Sequence, residues 1–246
     1  MKVLLIIPAR YQSTRFPGKP LIDILGKTMI ERVYEKCTEA FPSENIYVAT
    51  EDTRIIDFCT SVSIKSVLTS DNCFTGTDRV AETAEILEAD VYINVQGDEP
   101  LFNPEDIKLL LEKVKENPNQ VYCGYCPIDD EEMYKSRSTP KVVVGLKEQL
   151  LYMSRSPIPG NKSGAFGFSY RQVCAYAFPK DALRIFKAVG KKTPLELEED
   201  LELLRFLEMG YPVQMIQMSK ESIAVDHPVD LEKVIQKIVY DNPFSF

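Results

Sequence analysis

The sequence predicts an α/β fold: a mostly parallel sheet with helices on both faces and a small additional lobe. Three observations predict it. Short apolar runs alternate with stretches of helical periodicity through the first half of the chain. Four such strand–helix units need crossover connections, which make neighbouring strands parallel. The length of 246 residues suits one large domain, 1–246, or a main domain with a lobe.

The elements follow in order. "KVLLIIPA" reads as a buried strand. "TMIERVYEKCTEA" is helical, with Met29, Ile30, Val33 and Cys37 on one side. "NIYVAT" is a second strand, "TRIIDFCTSV" a helix and "IKSVLT" a third strand. "TDRVAETAEIL" is a helix that starts after Gly76, with Thr77 as its expected N-cap. "ADVYINVQGDEP" is a fourth strand running into acidic residues. "NPEDIKLLLEKVKEN" opens with Asn103 as N-cap and Pro104 at the first helical position. In the second half, "PKVVVGL", "LLYMSRSPIP" and "RQVCAYAFP" read as strands. They place the lobe in the central segment, about 120–190. "PLELEEDLELLRFLEMG" is expected to be one helix ending at Gly210, and "LEKVIQKIVYD" the last helix.

Composition sets limits. The net charge of −8 makes the surface as a whole repel nucleic acid and anionic membrane. No apolar run reaches membrane-spanning length, and "VLLII" is too short for a leader, so a cytoplasmic protein is expected. The single histidine, His227, argues against His-based triads and multi-His metal sites. Beside Asp226 it is expected to orient that carboxylate or face solvent. Six cysteines in a reducing compartment are expected to be free thiols. Cys123 and Cys126 form a lone C-x-x-C within an alternating strand pattern, a weak metal or redox signal. Cys174 is expected to be a buried apolar residue, sharing a strand face with Tyr176.

Ligands of such sheets bind outside the carboxyl ends of the strands, so the loops there carry the candidate site. "IIPARYQSTRFPGKPL" concentrates Arg10, Arg15 and Lys19 in a loop made flexible by Gly18 and stiff by Pro8, Pro17 and Pro20. Fixed cations and backbone N–H groups suit a polyphosphate. The G-x-x-x-x-G-K-[ST] phosphate loop is absent, and the plain alternative is a solvated basic turn. "NVQGDEPL" places Asp98 and Glu99 just past a buried strand, where a carboxylate can hold Mg2+ or form an acidic turn. "SIAVDHPVDLEKV" repeats the pattern with Asp226, a second metal ligand or the cap of the last helix. Basic and acidic loops in one crevice describe a protein that uses a nucleoside triphosphate with magnesium.

These same motifs, with "GTDRV", "KVVV" and "YMSRSPIP", resemble the cytidylyltransferases that make CMP-3-deoxy-manno-octulosonate, the CMP-KDO synthetases. The likeness runs in order along nearly the whole chain. It implies a Rossmann-like sheet of the nucleotide-diphospho-sugar transferase type. It implies transfer of a cytidylyl group from CTP to the anomeric hydroxyl of KDO or a close analogue, with release of pyrophosphate and Mg2+ as cofactor. Arg10, Arg15, Lys19 and Asp98 become the catalytic set. Pro8, Ala9, Ser13, Thr69, Ser70, Gly76 and Thr77 join Arg10, Arg15, Lys19 and Asp98 around the nucleotide. Asp98 and Asp226 become the metal ligands, and Gln96, Arg155, Gln172, Tyr176 and Glu202 the sugar contacts. The resemblance also implies a homodimer, with its contact in the central segment, and a product bound for lipopolysaccharide, capsule or another glycan. The chain departs from the family pattern in places. Ser70 and Cys73 stand where an arginine and a histidine are usual, Gln172 where a histidine is usual and Leu203 where a glutamine is usual. Altered polar contacts leave a different acid acceptor open: 8-amino-KDO, a nonulosonic acid or a phosphonate.

Overall fold

The computed structural model describes residues 1–12 and 16–241. Its strands are β1 (Val3–Pro8), β2 (Asp23–Ile24), β3 (Lys27–Thr28), β4 (Ile46–Thr50), β5 (Ser66–Leu68), β6 (Val91–Val95), β7 (Val121–Pro127), β8 (Lys141–Val144), β9 (Leu150–Ser154), β10 (Tyr170–Pro179) and β11 (Val213–Gln217). Its α-helices are α1 (Met29–Thr38), α2 (Thr53–Ser61), α3 (Gly76–Ile86), α4 (Pro104–Glu116), α5 (Glu131–Lys135), α6 (Lys180–Ala188), α7 (Pro194–Glu199), α8 (Leu203–Glu208) and α9 (Pro228–Asp241).

The main sheet runs β11-β7-β10-β6-β1-β4-β5. Along it β5, β4, β1 and β6 pair in parallel, as do β7 and β11. Only β10 runs against its neighbours. Buried β1 shows why the sheet needs helices on both sides. Leu5 and Ile7 enter one apolar cluster with α1 and α4, while Leu4 and Ile6 enter another with α3, α6 and α8. A strand apolar on both faces is stable only when both are covered.

Most predicted elements appear where the pattern put them. The central segment supplies β7 and β10 to the main sheet itself, and β8 and β9 form a ladder off its path. Two local expectations are corrected. The N-cap of α3 is Thr75, whose hydroxyl accepts the Asp78 N–H, so Thr77 lies inside the first turn. The residues expected to form one helix up to Gly210 form two, α7 and α8. Asp200 sits between them at φ 51°, a left-handed conformation that ends α7. Cys123 and Cys126 point to opposite sides of β7, into different apolar clusters, as an offset of three on a strand requires. They cannot share a metal or a disulfide, and all six cysteines are free thiols.

Candidate functional site

The site forms where chain segments far apart in sequence are forced together at the carboxyl ends of β1, β4 and β6. Gly97, after β6, makes one such approach possible. A Cβ there would lie 2.7 Å from the Pro8 carbonyl oxygen, so only glycine lets the two strand ends meet. A small apolar cluster makes another. Val234 and Ile238 of α9 pack with Val225, Ile24 and Met29, docking the C-terminal helix on the β2–β3 hairpin. The Val225 N–H then bonds the Asp98 carbonyl at 2.9 Å.

This packing converges on Lys19. Its ammonium donates to Asp98 Oδ2 at 2.7 Å and to the Val225 carbonyl at 2.7 Å, and lies 3.6 Å from Asp226 Oδ1. Both proposed metal-holding carboxylates thus face one cation. Asp230, in the first turn of α9, accepts the N–H groups of Asp226 and His227 on its Oδ2 at 3.2 and 2.9 Å. His227 is exposed. Among the described residues no three Asp, Glu, His or Cys side chains converge on one point. Two carboxylates that already hold a cation suit magnesium, which keeps its remaining positions for water and phosphate oxygens. Glu99 is buried at 3 % exposure and bonded by the Ser222 hydroxyl, and burial pushes its carboxyl up to about 7. It is a poor ligand candidate beside the open Asp98.

Arg10 is exposed at the end of β1. The Ala9 N–H continues the β1 pattern onto the Ala49 carbonyl at 2.9 Å. Gly18, at φ 72°, returns its N–H to the Tyr11 carbonyl at 2.9 Å and closes the loop. Ser13 and Arg15 lie outside the described residues. Thr69 and Ser70 sit across the end of β4, with the Thr69 N–H on the Thr50 carbonyl at 2.8 Å.

A second group gathers on the other side of the α3 N-terminus. The Thr77 N–H donates to Glu202 Oε2 at 2.9 Å, and Gln96 Nε2 reaches Glu202 Oε1 at 3.4 Å. A Cβ on Gly76 would lie 2.8 Å from that same Gln96 amide. Gly76 and Thr77 therefore keep company with Gln96 and Glu202 rather than with Thr69 and Ser70. Burial raises the Glu202 carboxyl above its ordinary range, against the opposing Thr77 N–H. In β10, Gln172 Nε2 donates to the Tyr176 hydroxyl at 3.0 Å, with both side chains buried. The register of β10 against β7 shifts between Val173 and Tyr176. Such bulges re-aim side chains beside sites. Cys174, half-buried, shares the Tyr176 face as expected. Asn94 on β6, two residues before Gln96, is fully buried, with neither side-chain polar atom bonded among the described residues. Leu203 is fully buried in the aromatic cluster of Tyr176, Phe178 and Phe206. Arg155 is held by carbonyls: Nε on Glu199 at 2.6 Å, Nη2 on Asp200 at 3.0 Å and Nη1 on Arg137 at 3.1 Å. It anchors the end of α7.

Sequence reasoning missed the charges that hold these two groups apart. Arg205, fully buried, makes paired bonds to Asp78 at 2.7 and 3.1 Å and to Glu196 at 2.6 and 2.7 Å. Arg79, the next residue after Asp78, turns the other way to Glu51, Thr69 and Ser70. The adjacent opposite charges of "GTDRV" at a helix start were the available signal.

A family model described as Cytidylyltransferase matches residues 4–223. A 3-deoxy-manno-octulosonate cytidylyltransferase of Protochlamydia amoebophila is 39% identical over 251 residues, covering 99% of this chain and 96% of that one. A solved structure of CMP:2-keto-3-deoxy-manno-octonic acid synthetase complexed with CTP superposes with a TM-score of 0.90 at 35% identity, covering 98% of this chain and 100% of that one. A putative glucose-1-phosphate thymidylyltransferase from Bacillus anthracis, at 14% identity and a TM-score of 0.67, covers 96% of this chain and 94% of that one and shares the fold.

Proposed function

Since the chain belongs to the cytidylyltransferase family, we propose that it transfers the cytidylyl group of CTP to the anomeric hydroxyl of KDO. The observation that carries the reading is the meeting of Lys19, Asp98 and Asp226 at one point between the basic loop and the buried polar pocket. CTP-Mg2+ would occupy the basic side. Arg10, Lys19 and, from the sequence, Arg15 offer fixed cations to the triphosphate, which stabilise charge on the α-phosphate and the departing pyrophosphate without reorganisation. Asp98 and Asp226 would hold Mg2+, which supplies Lewis-acid activation of the phosphate and of the attacking hydroxyl.

The chain's own residues do the rest. The acceptor hydroxyl attacks the α-phosphorus, the bond to the pyrophosphate oxygen breaks and the hydroxyl proton leaves to solvent. Gln96, Gln172, Tyr176 and Glu202 form a set of donors and acceptors suited to a polyhydroxy acid. Buried hydrogen-bonding groups of this kind penalise an acceptor that leaves them unpaired. Arg155 supports the pocket from the end of α7.

The family resemblance, rather than any contact within one chain, supports a homodimer and a product used in lipopolysaccharide, capsule or another glycan. No described helix is long and apolar enough to cross a membrane. The family resemblance supports a cytoplasmic enzyme.

Pyrophosphate release with each of the four nucleoside triphosphates, magnesium and a panel of acid acceptors tests the reading. Turnover with CTP and KDO is expected. Turnover only with 8-amino-KDO, a nonulosonic acid or a phosphonate would keep the chemistry and replace the acceptor. In that case Gln172 becomes the first candidate for selectivity.

A further inference from the structure

Arg79 and Glu51 form a buried ion pair that contributes little to the apolar core. Their side chains are 6% and 11% exposed, and Arg79 Nη2 lies 2.9 Å from Glu51 Oε2. Burying such a pair costs desolvation that a hydrophobic pair would avoid. The partners it holds give a reason for keeping it.

Glu51 Oε1 accepts the backbone N–H of Tyr11 at 2.9 Å, which ties the end of β4 to the segment just past Pro8, Ala9 and Arg10. Arg79 Nη1 bonds the Thr69 hydroxyl and reaches the Ser70 carbonyl at 3.4 Å. The Ser70 N–H goes to Glu82 Oε1 at 2.6 Å, from one turn further along α3. Both backbone polar groups of Ser70 are thus fixed by side chains of one helix. The relay joins the two segments that flank the end of β4, residues 8–11 on one side and 69–70 on the other, which are the walls of the proposed nucleotide site.

We infer that Arg79, paired with Glu51, is a positioning residue that fixes the spacing of these two walls and so sets the preference for cytosine over uracil. The inference rests on the cytidylyl-transfer reading and on the family resemblance, which implies that the base lies by Pro8 and Ala9 on one side and Thr69 and Ser70 on the other. Cytosine and uracil differ along one edge at two groups: cytosine offers an amino donor and a ring-nitrogen acceptor where uracil offers a carbonyl acceptor and a ring N–H donor. Backbone groups tell them apart only when held to within a fraction of an ångström. A rigid relay that touches the walls without lining the base supplies that precision.

Binding of CTP and of UTP, each with magnesium and without acceptor, is measured by calorimetry for the wild type, Arg79→Lys and Glu51→Gln, alongside melting temperature. Arg79→Lys keeps the charge but loses the planar reach to Thr69 and Ser70. It is expected to weaken CTP by ~10-fold or more and to shrink the CTP:UTP ratio by a similar factor. Glu51→Gln keeps an acceptor for Tyr11 and loses the charge, and should move the ratio in the same direction by a few-fold. Equal losses for both nucleotides, or an unchanged ratio in whichever variants fold, would overturn the inference and reduce the pair to scaffolding. A wild type that prefers CTP but never releases pyrophosphate with any acid acceptor would sink the functional reading alone. A wild type that binds neither nucleotide would sink both.

Discussion

The two sides of the first turn of α3 are built on opposite plans. On the side proposed for the nucleotide Arg10 is exposed, and Glu51, Arg79 and Glu82 fix the backbone of Tyr11 and Ser70 by side-chain bonds. On the side proposed for the acceptor the polar side chains bond to one another, buried Gln172 to buried Tyr176 and half-buried Gln96 to half-buried Glu202. Recognition by backbone needs a rigid frame. Recognition by side chain needs the right atoms. Selectivity for the base should therefore be altered from a distance, and selectivity for the acceptor by residues in contact.

The largest expected effect comes where the two sides meet. Asp98→Asn keeps the size of the side chain and an acceptor for Lys19, but removes the charge that a magnesium ion would need. It should lower turnover by ~100- to 1,000-fold, the scale of removing one charge-stabilising group from a transition state. The melting temperature should stay close to that of the wild type, because Asp98 is partly exposed and the docking of α9 rests on apolar contacts. An unaltered rate at saturating magnesium would remove Asp98 from the metal role.

The next effect separates the comparison from simple stability. Arg205 ties Asp78, beside Thr77 in α3, to Glu196 in α7, and its guanidinium also stacks on Phe186 at 3.7 Å. Arg205→Met strands two buried carboxylates, and breaking a buried pair on one side costs about 3–5 kcal/mol. Urea melts should show a loss of that order. In the triple variant Arg205→Met, Asp78→Asn, Glu196→Gln much of it should return, because no lone charge is left buried. A loss below 1 kcal/mol in the single variant would mean that water enters the network and that α3 and α7 are held by apolar packing.

How much of this was legible in the sequence follows the same division. The parallel sheet was readable because apolar runs such as "VLLII" and "VYINV" can be buried on both faces only in such a sheet. Asn103 and Pro104 declared the start of α4, and the structure has Asn103 accepting the Glu105 N–H. The split between α7 and α8 was hidden because the apolar periodicity runs through Asp200, and only the backbone conformation there breaks it. Lys19, Asp98 and Asp226 were legible as chemistry but not as neighbours. What joins them is α9 docking on a hairpin some 200 residues earlier, a contact between Val234 or Ile238 and Ile24 that no local pattern records. The relay of Glu51 and Arg79 was least legible of all. Each residue alone reads as an ordinary surface charge, and only the fold shows that both are buried.

The smallest predicted effect tests the acceptor side by itself. Glu202 accepts from the Thr77 backbone and from Gln96, and burial raises its carboxyl above the ordinary range. Glu202→Gln preserves the shape and one acceptor oxygen. It should raise KM for the sugar acid by ~10-fold while leaving KM for CTP within ~2-fold, since losing a charged hydrogen-bond acceptor is worth about 1.5 kcal/mol. Equal rises in both constants would show that the two sides are not independent. Stability provides a second readout. A carboxyl whose folded-state pKa is raised adds stability that is fully present below the ordinary carboxylate range and is lost as pH rises through the folded value. The amide has no such loss. The melting temperature of Glu202→Gln relative to the wild type should therefore climb as pH rises from the ordinary carboxylate range through the raised folded-state value. A flat difference across that window would mean that Glu202 titrates as it does in the unfolded chain. Its bonds to Thr77 and Gln96 would then fully offset its burial, and the acceptor pocket would hold a permanent negative charge.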